Sequence, residues 1–148
     1  MIIELITPEK VVLTQNNVES VVIPSYYGEL GILPQHIPIT VQLLPGEIRV
    51  TINKETKYYA VSGGFVEVEH SNTIPEETFV KIFAETAELA EEINVERATL
   101  SLERAKAALS AKDIKKTDIL ELDKVKLSIQ RQFARIKVAT HIRKKLPK

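Results

Sequence analysis

Cysteine and tryptophan are both missing from the 148-residue chain. Without cysteine there is no disulfide, no thiolate zinc site and no cysteine nucleophile, a composition that suits a reducing compartment. Aromatic residues make up only 5% of the sequence, so stacking surfaces for nucleic-acid bases are scarce. No apolar run approaches the ~18 residues of a membrane span. The start, MIIELITPEK, has no basic segment ahead of its short apolar run and reads as neither signal peptide nor anchor.

Glycine and proline are absent from most of the second half. All five glycines and six of the seven prolines precede residue 76, leaving only Pro147 beyond it. Net charge is also missing, but only as a sum. Residues 1–84 carry 5 Lys/Arg and 10 Asp/Glu, residues 85–110 carry 3 and 6, and residues 111–148 carry 12 and 4. The balance runs −5, −3 and +8, an acidic body with a basic end.

The loss of glycine and proline divides the chain near residue 85, and the charge turns basic only after residue 110. The expected fold class is α+β in two parts, an N-terminal antiparallel β-sandwich over 1–85 and a C-terminal antiparallel two-helix hairpin over 86–148. IIELI, KVVLT, NVESVVIP, TVQLL, GEIRVTIN, YYAVSGGFVEVEH and TFVKIFA are short, rich in β-branched residues and separated by turn signals such as Pro45-Gly46. In GEIRVTIN, Ile48, Val50 and Ile52 share one strand face; in FVEVE, Val66 and Val68 oppose Phe65, Glu67 and Glu69. Gly63-Gly64 divides two strands and suits a tight turn or a close backbone approach.

Asn94 is a good N-cap for a first helix, along which Ala98, Leu102, Ala105 and Leu109 recur at steps of four, three and four. A second helix is expected from about Asp118 to about Arg143, with a stripe of Leu122, Val125, Ile129, Phe133 and Ile136. Arg131 and Arg135 fall on the side away from that stripe, free to meet something acidic. The apolar faces are narrow, so the hairpin is expected to be marginally held.

Catalytic motifs are hard to find. His36, His70 and His141 form no HxH or HxxxH pair, so a zinc site would have to gather distant residues. Ser62 lacks a nucleophile elbow, and there is no Walker A or dinucleotide fingerprint. Two readings stay open on the residues alone. One is a nucleic-acid-binding module using the basic second helix; the other is a small hydrolase built on Ser62 or His36.

The stretch GELGILPQHIP (Gly28 to Pro38) combines turn residues, two prolines and a histidine, and on its own reads as a turn followed by a Pro-rich loop. It resembles the hallmark loop of the epsilon subunit of F-type ATP synthases (delta in mitochondrial naming). LLPGEIRV is similar to that family's Pro-Gly hairpin, YAVSGGFVEV to its second signature, and AELAEEINVERA with LERAKAAL to its first C-terminal helix. The resemblance covers nearly the whole chain. EHSNTIPEET and SAKDIKKTD run longer than the family's usual connections.

The resemblance implies a non-catalytic rotor, or central-stalk, subunit that couples proton transport to ATP synthesis and restrains ATP hydrolysis through its helices. Its implied partners are the gamma subunit, the proteolipid c-ring and, with the hairpin extended, the alpha/beta catalytic head; nucleic acid is not expected. The implied location is peripheral, on the cytoplasmic, matrix or stromal side of an energy-coupling membrane. Gly28, Glu29, Gly31, Pro34, His36 and Pro38 would form the ring-facing loop. Gly28 and Gly31 would let the chain turn, Pro34 and Pro38 would stiffen it, and Glu29 and His36 would make contact. Arg131 and Arg135 would meet an acidic loop of the head. No catalytic residue, metal or required cofactor is implied. Some members bind regulatory ATP through I/L-D-x-x-R-A, which here reads Ile93-Asn94-Val95-Glu96-Arg97-Ala98. Glu88, Arg97, Arg131 and Arg135 match contributing positions, but Asn94 replaces the aspartate, so ATP affinity is expected to be weak or absent.

Overall fold

The computed structural model describes residues 1–70, 77–111 and 119–145, so most of the two longer connections lies outside the described residues. Among the described residues, ten strands precede two helices. They are β1 (Ile2–Ile6), β2 (Val11–Gln15), β3 (Val18–Ser25), β4 (Gly28–Ile32), β5 (Ile39–Leu43), β6 (Gly46–Ile52), β7 (Glu55–Val61), β8 (Gly64–His70), β9 (Thr78–Ala84) and β10 (Ala87–Leu89). A short 3-10 helix, Ala90–Glu92, leads to α1 (Val95–Ala111) and α2 (Ile119–Lys145).

The strands form two leaves. One runs β2–β1–β9–β8–β5 and the other β10–β7–β6–β3–β4, joined where Ser25 of β3 meets Leu43 of β5. All pairs are antiparallel except β1 with β9. Period-2 alternation fills the space between the leaves. Ile3 and Leu5, Val21 and Ile23, Ile48 and Val50, Val66 and Val68, and Val80 and Ile82 all point inward and are essentially without solvent contact.

Turn chemistry sets the registers. Asn53 and Lys54, at φ 50° and 65°, make a two-residue connection between Ile52 and its partner Glu55, the backbone that suits the twist of a tight hairpin. Gly64, at φ 133°, lies so close to β9 that a Cβ there would sit 1.9 Å from the Phe83 carbonyl oxygen.

Pro45-Gly46 does not make a hairpin. β5 pairs with β8, and β6 pairs with β3 and β7, so this connection is a corner where the chain changes leaf. Gly46 permits it by packing on Pro24, whose Cβ would lie 2.8 Å from an added one. The opening of GELGILPQHIP is likewise strand, not loop. β4 pairs with β3 from Val21↔Ile32 to Ser25↔Gly28, and the sheet also runs past residue 85, through β10.

β7 breaks the alternation because both of its faces are covered. Tyr59 and Val61 belong to the sandwich core, while Tyr58 and Ala60 form a second cluster with Ala90, Ile93, Val138 and Ala139. That cluster seats α2 on the outer face of β6 and β7. Asn94 caps α1 as its side chain suggests, its Oδ1 accepting from the Arg97 amide at 2.9 Å. Ala98 and Leu102 are buried and Ala105 and Leu109 half-buried, as a single helical face requires.

The stripe expected along α2 holds only in part. Leu122, Val125, Ile129 and Ile136 are half-buried, but Phe133 is 61% exposed. The deepest residues are Ala134, Val138 and Ala139. α2 has two packed sides, one for α1 and one for the sheet, and the second is lined by small residues that a search for large apolar side chains passes over.

Candidate functional site

Arg131, Ala134, Arg135, Val138 and His141 recur at helical spacing on the side of α2 that rests on the sandwich. Their partners come from the acidic body. Arg131 is paired with Glu85. Arg135 donates from Nε and Nη2 to Glu88 Oε2, at 3.2 and 2.8 Å, and from Nη1 to Gln132 at 3.0 Å. His141 Nδ1 lies 3.1 Å from Glu47 Oε2, and its ring packs on Tyr58 with centroids 5.1 Å apart. The small apolar cluster of Tyr58, Ala60, Ala90, Ile93, Val138 and Ala139 sits among these polar contacts.

The two arginines therefore do not face open solvent. They point away from the large apolar stripe of α2, as its spacing suggests, but the sandwich occupies that side and already supplies the acidic partners. Arg135 is the better held. Arg131 uses one donor on Glu85, and its Nε is buried with no hydrogen-bond partner.

A second group of residues lies along β4 and the segment after it. Gly28 has φ 108° and ends the tight Tyr26-Tyr27 turn. Gly31 needs no such freedom: it sits within β4 without a positive φ, and an added Cβ would meet open space. The turn expected of Gly31 is instead made by Gln35, at φ 67°, whose amide donates to Thr78 Oγ1 at 2.8 Å, with Thr78 fully buried. The His36 carbonyl accepts from His70 Nε2 at 2.8 Å, and the His36 amide closes a turn onto Leu33 at 3.0 Å. Pro34 and Pro38 are exposed, and the residue before each, Leu33 and Ile37, presents 58% and 69% of its surface. The segment is thus tied to β8 and β9 at two points and stays open outward.

Glu29 projects from β4 and makes a bidentate pair with Arg49, at 3.0 and 2.6 Å. The hydrogen bonds from Arg49 hold the Glu29 carboxyl below its usual range against a smaller opposing effect of burial; the charges of Arg49 and Lys137 lower it further.

The residues matched to nucleotide binding are largely engaged elsewhere. Glu88 and Arg135 bind each other, Arg131 binds Glu85, the Asn94 side chain caps α1, and Arg97 is exposed. Ser62 is buried, with its hydroxyl paired to that of Thr86. Among the described residues no three His, Asp or Glu side chains gather as metal ligands. No helix there is long and apolar enough to cross a membrane.

Sequence reasoning missed Glu47, Glu85 and Glu88 as the seat for α2. A signal was present only as a pair of acidic residues, Glu85 and Glu88, ahead of the first helix and a pair of basic ones, Arg131 and Arg135, on the second.

Comparison with known proteins agrees with this architecture. Residues 1–90 match the family model described as the ATP synthase delta/epsilon chain, beta-sandwich domain. The ATP synthase epsilon chain of Desulforamulus reducens is 36% identical over 93% of this chain and 95% of its own length. That of Syntrophobacter fumaroxidans is 40% identical over 93% of each. Among solved structures, a chain of the Euglena gracilis mitochondrial ATP synthase, in its OSCP/F1/c-ring assembly, superposes with a TM-score of 0.75 at 25% identity, covering 95% of this chain and 81% of that one. A chain from the central stalk and c-ring of the Tetrahymena thermophila enzyme shares the fold at a TM-score of 0.57 and 17% identity. Sandwich, helical pair and relatives of nearly equal length all agree: this chain belongs to the epsilon-chain family of ATP synthases.

Proposed function

We propose that this chain is a non-catalytic central-stalk subunit whose sandwich binds gamma and the proteolipid ring, and whose hairpin restrains ATP hydrolysis when it leaves the sandwich for the alpha/beta head. The observation that carries the reading is the composition of the α2 seat. Its apolar part is small and includes three alanines, and the remainder is two partly exposed ion pairs and the hydrogen bond between His141 and Glu47. Surface pairs are worth about 0–1 kcal/mol each, so the docked state is held by little and can be exchanged for another. Arg131 and Arg135, released from Glu85 and Glu88, would present two guanidinium groups to acidic residues of the head.

The tethered segment Leu33–Pro38, with Glu29 beside it, is the surface proposed to meet the ring. Its fixed backbone and outward Leu33 and Ile37 favour docking without loss of much conformational freedom. The implied location is peripheral, on the side of the membrane that carries the catalytic head.

The test is reconstitution of the synthase with a chain ending after residue 90. The expected result is retained gamma binding and coupled synthesis with raised ATPase activity. Loss of gamma binding by a folded sandwich would overturn the assembly role, and unchanged ATPase activity would overturn the regulatory one.

A further inference from the structure

Charged side chains run in a line from β4 to the last described turns of α2. Pro24 of β3 pairs with Glu29, and Val22 of β3 pairs with Arg49, so β3 separates the two charged residues. Arg49 spans it. Its Nη1 donates to Glu29 Oε1 at 3.0 Å and to Glu47 Oε1 at 3.1 Å, while Nη2 donates to Glu29 Oε2 at 2.6 Å. The other oxygen of Glu47 meets His141 Nδ1 at 3.1 Å. Lys137, one turn before His141, also acts on Glu29. Tyr58 of β7 packs against the His141 ring. The middle of the line is dry and its β4 end wet: the Glu47 side chain is 6% exposed and that of Glu29 60%.

Each middle group is shared. Arg49 serves two carboxylates, and Glu47 serves Arg49 and His141. If another cation takes Glu29, the donors of Arg49 become available to Glu47, which then holds His141 less strongly. The attraction between the charges of Lys137 and Glu29 is reduced in the same event. Both changes loosen α2.

We propose that Glu29, Arg49 and Glu47 couple the outer edge of the sandwich to the docking of α2, so that a cationic side chain of a partner engaging Glu29 favours release of the hairpin. By reciprocity, release of the hairpin makes Glu29 more available to such a cation. The coupling belongs to the chain itself and does not require that the hairpin inhibit hydrolysis.

The absence of cysteine permits a direct test on the full chain. Spin labels on cysteines introduced at exposed Glu55 and Lys124 report the docked and released populations as distances. Glu29→Gln should raise the released-to-docked ratio roughly two- to fivefold, the range of a surface charge contact. In a background carrying both Arg49→Gln and Lys137→Gln, the same change should have no effect. Thermal unfolding of the sandwich is followed in parallel to separate hairpin release from loss of fold. An unchanged ratio in Glu29→Gln would overturn the proposal, as would an effect that persists undiminished in the double background.

Discussion

Arg135 on α2 donates from both Nε and Nη2 to a single oxygen of Glu88, at 3.2 and 2.8 Å, across a sequence separation of 47 residues. The same guanidinium reaches Gln132 within the helix, so all three of its nitrogens are engaged. The docked hairpin is fastened at this point, and Arg131 with Glu85 adds a weaker tie one turn earlier.

The arrangement separates the two faces of the proposed switch. Glu85→Gln with Glu88→Gln removes the seat and leaves the arginines free for the head, so ATPase inhibition in the reconstituted synthase should deepen. Arg131→Ala with Arg135→Ala removes both sets of contacts and should relieve inhibition, although the hairpin also lifts more readily. Each partly exposed pair contributes about 0–1 kcal/mol, so shifts in the released population of a few-fold are expected. Identical ATPase rates in the two double variants would contradict this assignment of the arginines.

Acidification should act through Glu29. Its carboxyl is held below the ordinary range by Arg49, so the folded chain binds the proton less readily than the unfolded one. The stabilisation is present above the unfolded value of about 4.3 and is lost as pH falls through the lowered folded value. Urea midpoints of the native chain and of Glu29→Gln should therefore differ at pH 7 and converge as the pH falls through the lowered folded value. A gap that widens on acidification would show that Arg49 does not favour the charged form.

Two glycines should respond in opposite ways. Gly64→Ala drives a Cβ into the Phe83 carbonyl at a φ of 133°, and should cost more than about 2 kcal/mol or prevent folding. Gly31→Ala meets open space with no positive φ, and should be neutral or raise the melting temperature slightly. Equal melting temperatures for the two variants would show that the β8–β9 approach is looser than described.

Nucleotide binding should be weak. A polyphosphate needs uncommitted cations, and Arg131 and Arg135 are already paired with carboxylates, while the Asn94 side chain is committed to its cap. Calorimetry of the full chain should give no saturable heat at ATP concentrations up to about 1 mM. Micromolar binding would mean that the hairpin rearranges around the ligand.

The parts legible from sequence were those with a strong local signal. Ile48, Val50 and Ile52 announce a strand by alternation, and Asn94 announces a helix start by its capping chemistry. β4 was hidden because Gly28, Gly31 and Pro34 signal turns, whereas its existence depends on pairing with β3. β10 is three residues long, too short for any period to emerge. The seat of α2 was hidden for a different reason. It is built from Val138 and Ala139 among charged neighbours, and only the outer face of β7 and the segment after β10 reveal that these residues are covered. The match of arginines to glutamates is a tertiary fact between residues 46 and 47 positions apart.

Along β7, adjacent residues answer to different demands. Tyr59 and Val61 sit between the leaves, and Tyr58 and Ala60 sit beneath α2. A change at Tyr59 tests whether the sandwich forms at all, whereas a change at Tyr58 alters the cover that α2 provides. Foldability and switching are thereby written in alternate letters of one short segment. Under the proposed function, changes at Tyr58 and Ala60 retune hairpin release without passing through an unfolded ancestor, and the proposed regulation can drift in strength while the body of the protein stays as it is.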